Sequence, residues 1–405
     1  MPRGQVLIVI ALAMVGLIGM LGLVIDGGSV FLDRRNAQNA ADSAALASAM
    51  IRIRGGEDWV AAALRSAAEN GYNNDPLTNT VQVYSPPKDG PHAGKLEYLQ
   101  VIIISHVNAT FARVFGWVQF TNVVEAVART KLPEIGPLMN GNAVVSLAPT
   151  NSCFKRPGLW VHGEATLDIT GGGVFVNSNN PTCAVVEQGS GSIRIRDDHQ
   201  ISIVGGAYIQ KPQLLTPGVT TGAIPVSFPP PFYMPRAGCG SKIATVSEDG
   251  TSMSPGNWEE EFPPEGVTHL SAGIYCLNHG FHVKGLLRGK NVLFVVEEGE
   301  FRISSGATVK LDAPSAGPNS GLLVYVPLDN HNKVVLNGTP ETTIQGTILA
   351  PASPIIINGN DSASGFHSQI IGYTVEADGN SNVVIKYIEE QNYVTLSMPE
   401  VQLAE

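Results

Sequence analysis

The chain has 405 residues, more than one ordinary core accommodates, so two or more domains are expected. A net charge of −10 with no basic stripe argues against nucleic acid as a partner. With 44 glycines, 27 prolines and 15% charged residues, the chain must turn tightly and often.

The first element is an uncharged run. From Val6 to Ile25 no residue is charged. A helix over residues 5–25 is ~32 Å long, close to the ~30 Å of a bilayer's hydrocarbon core. A cleaved signal has a shorter apolar region, about 7–15 residues, followed by a small-residue cleavage site. No A-x-A motif sits near Ile25; Ala47-Ser48-Ala49 lies far downstream. The run therefore reads as a retained transmembrane helix, marked by Gln5, Val6, Leu12, Gly16, Gly19, Gly22 and Ile25. Asp26-Gly27-Gly28 ends it. Residues 1–4 are a short leader, easiest to leave in the cytoplasm, which places the bulk of the chain outside. Local Lys and Arg do not decide the orientation, since Arg3 lies on one side and Arg34 and Arg35 on the other.

Residues 27–54 are Ala-rich and free of proline. Val30, Ala37, Ala41, Ala44 and Ala45 recur at helical spacing and give the helix a small-residue face. Packing within the chain is the ordinary use of such a face; helix–helix assembly is the alternative. Residues 57–72 read as a second helix closed by Asn70-Gly71. Strands follow at 80–84, 96–107 and 118–131, with a short helix at 109–115. The 96–107 strand ends in an apolar run, which places it centrally in a sheet. Together these elements predict a small α+β domain over residues 26–135.

The residues here carry a resemblance. "GLVIDGG" followed by "RRNAQNAADSAALASA" is similar to the N-terminal segment of TadE/TadG-like Flp (tight-adherence) pilus-assembly proteins. "LEYLQVIIISHVNATFARVFG" resembles the small domain that often follows it. The likeness covers residues 1–131. It implies a single-pass protein of the bacterial cell membrane, with the bilayer and other Tad/Flp pilus-assembly proteins as partners. It implies no catalysis and no cofactor. Arg3-Gly4 fits the basic-Gly site at which pilin-like proteins are trimmed, but Val9 stands where many of them carry glutamate.

Residues 136–405 read as β throughout, apart from a proline-rich connector at 211–266. Short strands alternate with Gly, Asn and Ser corners. "DITGGGVFVNS" resembles "TIQGTILAPAS", and "SIVGGAYI" resembles "QIIGYTVE". Stacked short strands without long helices fit a parallel β-helix, or solenoid. A β-sandwich with antiparallel hairpins is the alternative. "AGIYCLN", "GTILAPAS" and "HSQIIGYTV" look similar to β-helix-like passengers of other TadG-like envelope proteins. The acidic tail at 389–405 is expected to cover the solenoid's far end, where backbone is otherwise unpaired.

Four cysteines, Cys153, Cys183, Cys239 and Cys276, all follow the anchor. Outside the cell they are free to pair. Three pairings are open, and order along the chain favours Cys153–Cys183 and Cys239–Cys276. The run Cys276, His279, His282 has a metal-like spacing, but no second motif completes a site. Asp197-Asp198-His199 could do acid–base work, yet neighbours on a strand face opposite ways and the run reads as a turn. Glu259, Glu260 and Glu261, with Glu297, Glu298 and Glu300, could hold calcium but read as solvated patches. No metal, catalytic or cofactor-binding residue is assigned. The leading expectation is a membrane-anchored pilus-assembly or surface-adhesion protein, its β part meeting a surface glycan or protein. An anchored β-helix enzyme acting on polysaccharide is the competitor.

Overall fold

A computed structural model describes residues 4–153, 157–337, 339–358, 365–379 and 382–404. It divides into two compact units, Met1–Pro133 with Met398–Glu405, and Glu134–Ser397.

In the first unit, helix α1 (Gly4–Ile53) runs through Asp26-Gly27-Gly28 without a break. Helix α2 (Trp59–Glu69) follows and closes at Asn70, with Gly71 left-handed at φ 94°. Strands β1 (Asn79–Tyr84), β2 (Tyr98–Asn108) and β3 (Gln119–Lys131) form an antiparallel sheet with β2 between its neighbours. The fourth strand is Glu400–Ala404, which pairs with β3 from Val127–Ala404 to Lys131–Glu400. The unit is thus split in sequence, and the other unit is inserted into it.

This corrects two expectations. The second domain does not run from 136 to 405, because residues 398–405 belong to the first unit. The tail at 389–405, expected to cover the far end of the second domain, instead pairs its residues 400–404 within the first unit, completing the sheet edge that β3 would otherwise leave unpaired.

The Ala-rich face of α1 is spent within this unit. Ala37, Ala40, Ala41, Ala44, Ala45 and Ala49 are fully buried, in one core with Leu99, Val101, Ile103, Val124 and Ala128. Small side chains let the helix lie close on the sheet, so this face is not free for assembly.

The second unit holds three large sheets in which every strand pair is parallel. Antiparallel hairpins, the alternative, do not build them. Two sheets have ten strands and the third has eight, among the described residues. The chain visits them in rotation. Leu159–Val161, Thr166–Thr170 and Val174–Val176 each enter a different sheet, and Val185–Glu187 returns to the first of these, beside Leu159–Val161. Some strands alternate, as where Ile193 and Ile195 are buried and Arg194 between them is exposed, whereas others, such as Val292–Val296, are buried at every position. The inner residues form one continuous core.

The order of the rungs is not the order of the chain. Val144–Ser146 sits between Val174–Val176 and Ile370–Gly372. From there the chain builds toward Val219–Thr221 at one end of its sheet. It then crosses to Gly256–Trp258 at the other end and builds back to the starting rung. Ten strands at ~4.8 Å span ~43 Å, and the 30 residues of 222–251 reach ~100 Å when extended, so the crossing is unforced. The connector is therefore shorter than 211–266. Leu215–Thr216, Val219–Thr221, Ser252–Met253 and Gly256–Trp258 are strands within that range.

The crossing segment covers the outer face of one ten-stranded sheet. Phe232, with Val226, Met234 and Ala237, packs on Val145, Phe175, Val295, Leu349 and Ile371. Asn177 fixes it by donating to the Val226 carbonyl and accepting from the Val226 N–H, both at 2.8 Å. Where the chain enters and leaves the unit, Ile135–Pro137 and Val394–Leu396 pair antiparallel. Buried Gln369 donates at 2.8 Å to the carbonyls of Leu138 and Asn142, pinning the first turn to the last rung.

Candidate functional site

The first half of α1 is the chain's most distinctive surface. Val15 and Val24 are 69% and 71% exposed, and apolar side chains from Val9 to Ile25 stand out similarly. Leu12 and Ile25 lie on this surface, and Gly16 and Gly19 have nothing near them. Gln5 and Val6 are helical in backbone, and their side chains fall outside the described residues, as does the Arg3 of the trimming site. Among the described residues one helix is long and apolar enough to cross a membrane.

Gly22 is different, because it is buried. A Cβ there would lie 2.6 Å from that of Phe111, in the loop between β2 and β3. One turn on, Asp26 is 4% exposed. Its carboxylate accepts the backbone N–H groups of Thr110, Phe111 and Ala112 at 3.0, 2.9 and 2.7 Å. Three donors on one carboxylate compensate its removal from water.

Asp33, two turns further, accepts from Tyr72 at 3.0 Å, from Asn122 at 2.7 Å and from Ser105. Burial first, and then the Asp33 charge, push the Tyr72 hydroxyl above its ordinary range. Gly22, Asp26 and Asp33 therefore share one helix face, continued by the alanines, and this face holds the sheet and its loop. The sequence presents Asp26 only as the end of the apolar run. Its partners lie 84 to 86 residues away, so no local signal marks its role.

In the second unit the cysteines join as Cys153–Cys183 and Cys239–Cys276, with Cα atoms 5.4 and 6.0 Å apart. Cys276 is thereby withdrawn from any metal set. His282 instead meets Ser304 at 3.0 Å. Asp197 caps a turn, accepting from the Gly171 N–H, the His199 N–H and the His199 ring. Burial pushes its carboxyl up, but these donors outweigh burial and hold it below the usual carboxylate range. Glu300 pairs with Arg302 through both oxygens, at 2.7 and 3.0 Å, and Glu259 accepts from Asn278. None of these carboxylates joins a convergent set among the described residues.

One cluster was not legible in sequence. His162 Nε2 lies 2.9 Å from Glu376 and its Nδ1 3.2 Å from Asp378. Parallel pairing of Leu159–Val161 with Val375–Asp378 brings them together across more than 200 residues. Trp160 stacks on the imidazole at 3.9 Å. One nitrogen and two carboxylates could hold a divalent cation, but both ring nitrogens already face carboxylates.

Residues 4–50 match the family described as "Putative Flp pilus-assembly TadE/G-like". The matched Tad-like segment is α1 almost to its end, and does not reach the sheet or the inserted unit. Gly22, Asp26 and Asp33 all lie inside it. No curated protein matches the chain. Among solved structures, the competence-associated pilin ComZ from Thermus thermophilus aligns at 9% identity, over 82% of this chain and 85% of that one. Its TM-score is 0.29.

Proposed function

We propose that the chain is a single-pass membrane component of a Flp-type (tight-adherence) pilus-assembly system, with its bulk outside the cytoplasm. The observation that carries this reading is a coincidence along α1. The family match covers one helix whose first half exposes apolar side chains and whose second half is buried on its own sheet. A helix divided in this way leaves the apolar side chains of its first half exposed among the described residues, and a bilayer covers them.

The inserted unit is read as a solenoid: each circuit through the three parallel sheets is one coil, covering the apolar face of the last. Its role in this proposal is structural and adhesive, through contacts with a surface glycan or protein. The two disulfides suit an oxidising compartment.

A photo-reactive residue at Val15 or Leu23, in cells assembling such pili, tests the reading. Adducts with another membrane component of the system are expected. Pilus assembly and attachment unchanged in cells lacking the chain would contradict it. So would polysaccharide cleavage by the inserted unit that is lost on replacing one carboxylate.

A further inference from the structure

Beyond the helix, the first unit exposes a second apolar surface. The loop between β2 and β3 carries Phe111, Val114, Phe115, Trp117 and Val118, and the last four are 62 to 85% exposed. In a water-soluble domain such a cluster is a liability. Here its place is fixed by the anchor. Phe111 lies on Gly22, and the loop's N–H groups bind Asp26. The loop therefore stands beside the last turn of the apolar run. Gly22 is three residues before Ile25, or ~4.5 Å along the axis. That depth matches the ~5–10 Å at which amphipathic segments bury at the headgroup–acyl boundary. The composition fits as well: Trp and Phe favour that zone, and the exposed Arg113 on the same loop is a cation of the kind that snorkels to lipid phosphates.

We propose that this loop is a second membrane contact: an aromatic lip inserted in the outer leaflet against the lipid headgroup–acyl boundary. It would hold α1 and its sheet at a fixed height and tilt to the bilayer. Asp26 makes the lip possible, since its carboxylate and the loop's N–H groups satisfy each other where water thins out. The inference rests on the reading of α1 as a membrane span.

Full-length protein in phosphatidylcholine vesicles tests it, with lipids brominated at shallow or deep acyl positions. Carbonate washing is applied to the same vesicles. The expected result is carbonate-resistant protein whose tryptophan emission is quenched more strongly by shallow than by deep bromine. The Trp117→Phe protein should stay integrated and lose that quenched component. Quenching unchanged by Trp117→Phe, in protein that resists carbonate, would overturn the lip and leave the anchor standing. So would a homodimer adduct from a photo-reactive residue at 117 in place of lipid quenching, which would assign the surface to a second copy. Protein released by carbonate would instead overturn the anchor, and the lip with it.

Discussion

Removing residues 398–405 should open the first unit from a distance of more than 260 residues. The strand Glu400–Ala404 adds five residue pairs to the edge of β3, from Val127 to Lys131. Each pair contributes about one backbone hydrogen bond, at about 0.5–1.5 kcal/mol net. Val401 also packs against the unit's core, worth about 1 kcal/mol for a partly covered side chain. The sum is about 6 kcal/mol, comparable to the whole stability of a small domain, about 5–15 kcal/mol. Amide exchange followed residue by residue measures it. The β3 amides that face the removed strand should exchange about ten-thousandfold faster, at tenfold per 1.4 kcal/mol. The inserted unit's protection should be unchanged. Protection of 127–131 equal to that of the full chain would refute the pairing and with it the split unit.

Phe294→Ala should destabilise the inserted unit by about 3–5 kcal/mol in urea unfolding. Its ring is fully buried and meets Phe281 at 4.9 Å, Tyr275 at 5.7 Å and Phe262 at 5.8 Å. Replacing Cys153 and Cys183 by serine should cost about 3–4 kcal/mol in the same measurement, from opening a 30-residue closed loop. Arg302, bonded to both oxygens of Glu300, holds that carboxyl below its usual range. Its contribution is therefore full above the unfolded value of about 4.3 and fades as pH falls through the lower folded value. Glu300→Gln should lower the urea midpoint at neutral pH and leave a shallower loss on acidification; an identical pH profile would argue against the pair.

How much of this was legible in the sequence depends on the range of the interaction. The uncharged run, the Ala face at 37–45 and the central position of 96–107 follow from periodicity, which reports how a residue's own element is buried. Parallel pairing was the favoured reading of short apolar strands between Gly and Asn corners, but the same strands left antiparallel hairpins open, and only the pairing itself decides between them. Periodicity does not name the neighbour. Nothing local says that Val144–Ser146 lies beside Ile370–Gly372, or that Glu400 reaches Lys131. The same holds for Asp26, whose side chain answers a loop 84 residues on, and for His162 between Glu376 and Asp378. The strands inside 211–266 escaped because prolines dominate the range, while the strands themselves are only two or three residues long.

The central claim is that the first half of α1 lies in a bilayer. Carbonate extraction of membranes from cells making the full chain tests it most directly, with Val15→Lys beside the wild type. Val15 is 69% exposed, so the change leaves protein packing alone and burdens only insertion, by about 3 kcal/mol. The wild type should remain with the membranes and Val15→Lys should appear largely in the supernatant. Wild-type protein released by carbonate, or Val15→Lys retained as firmly as the wild type, would contradict the account.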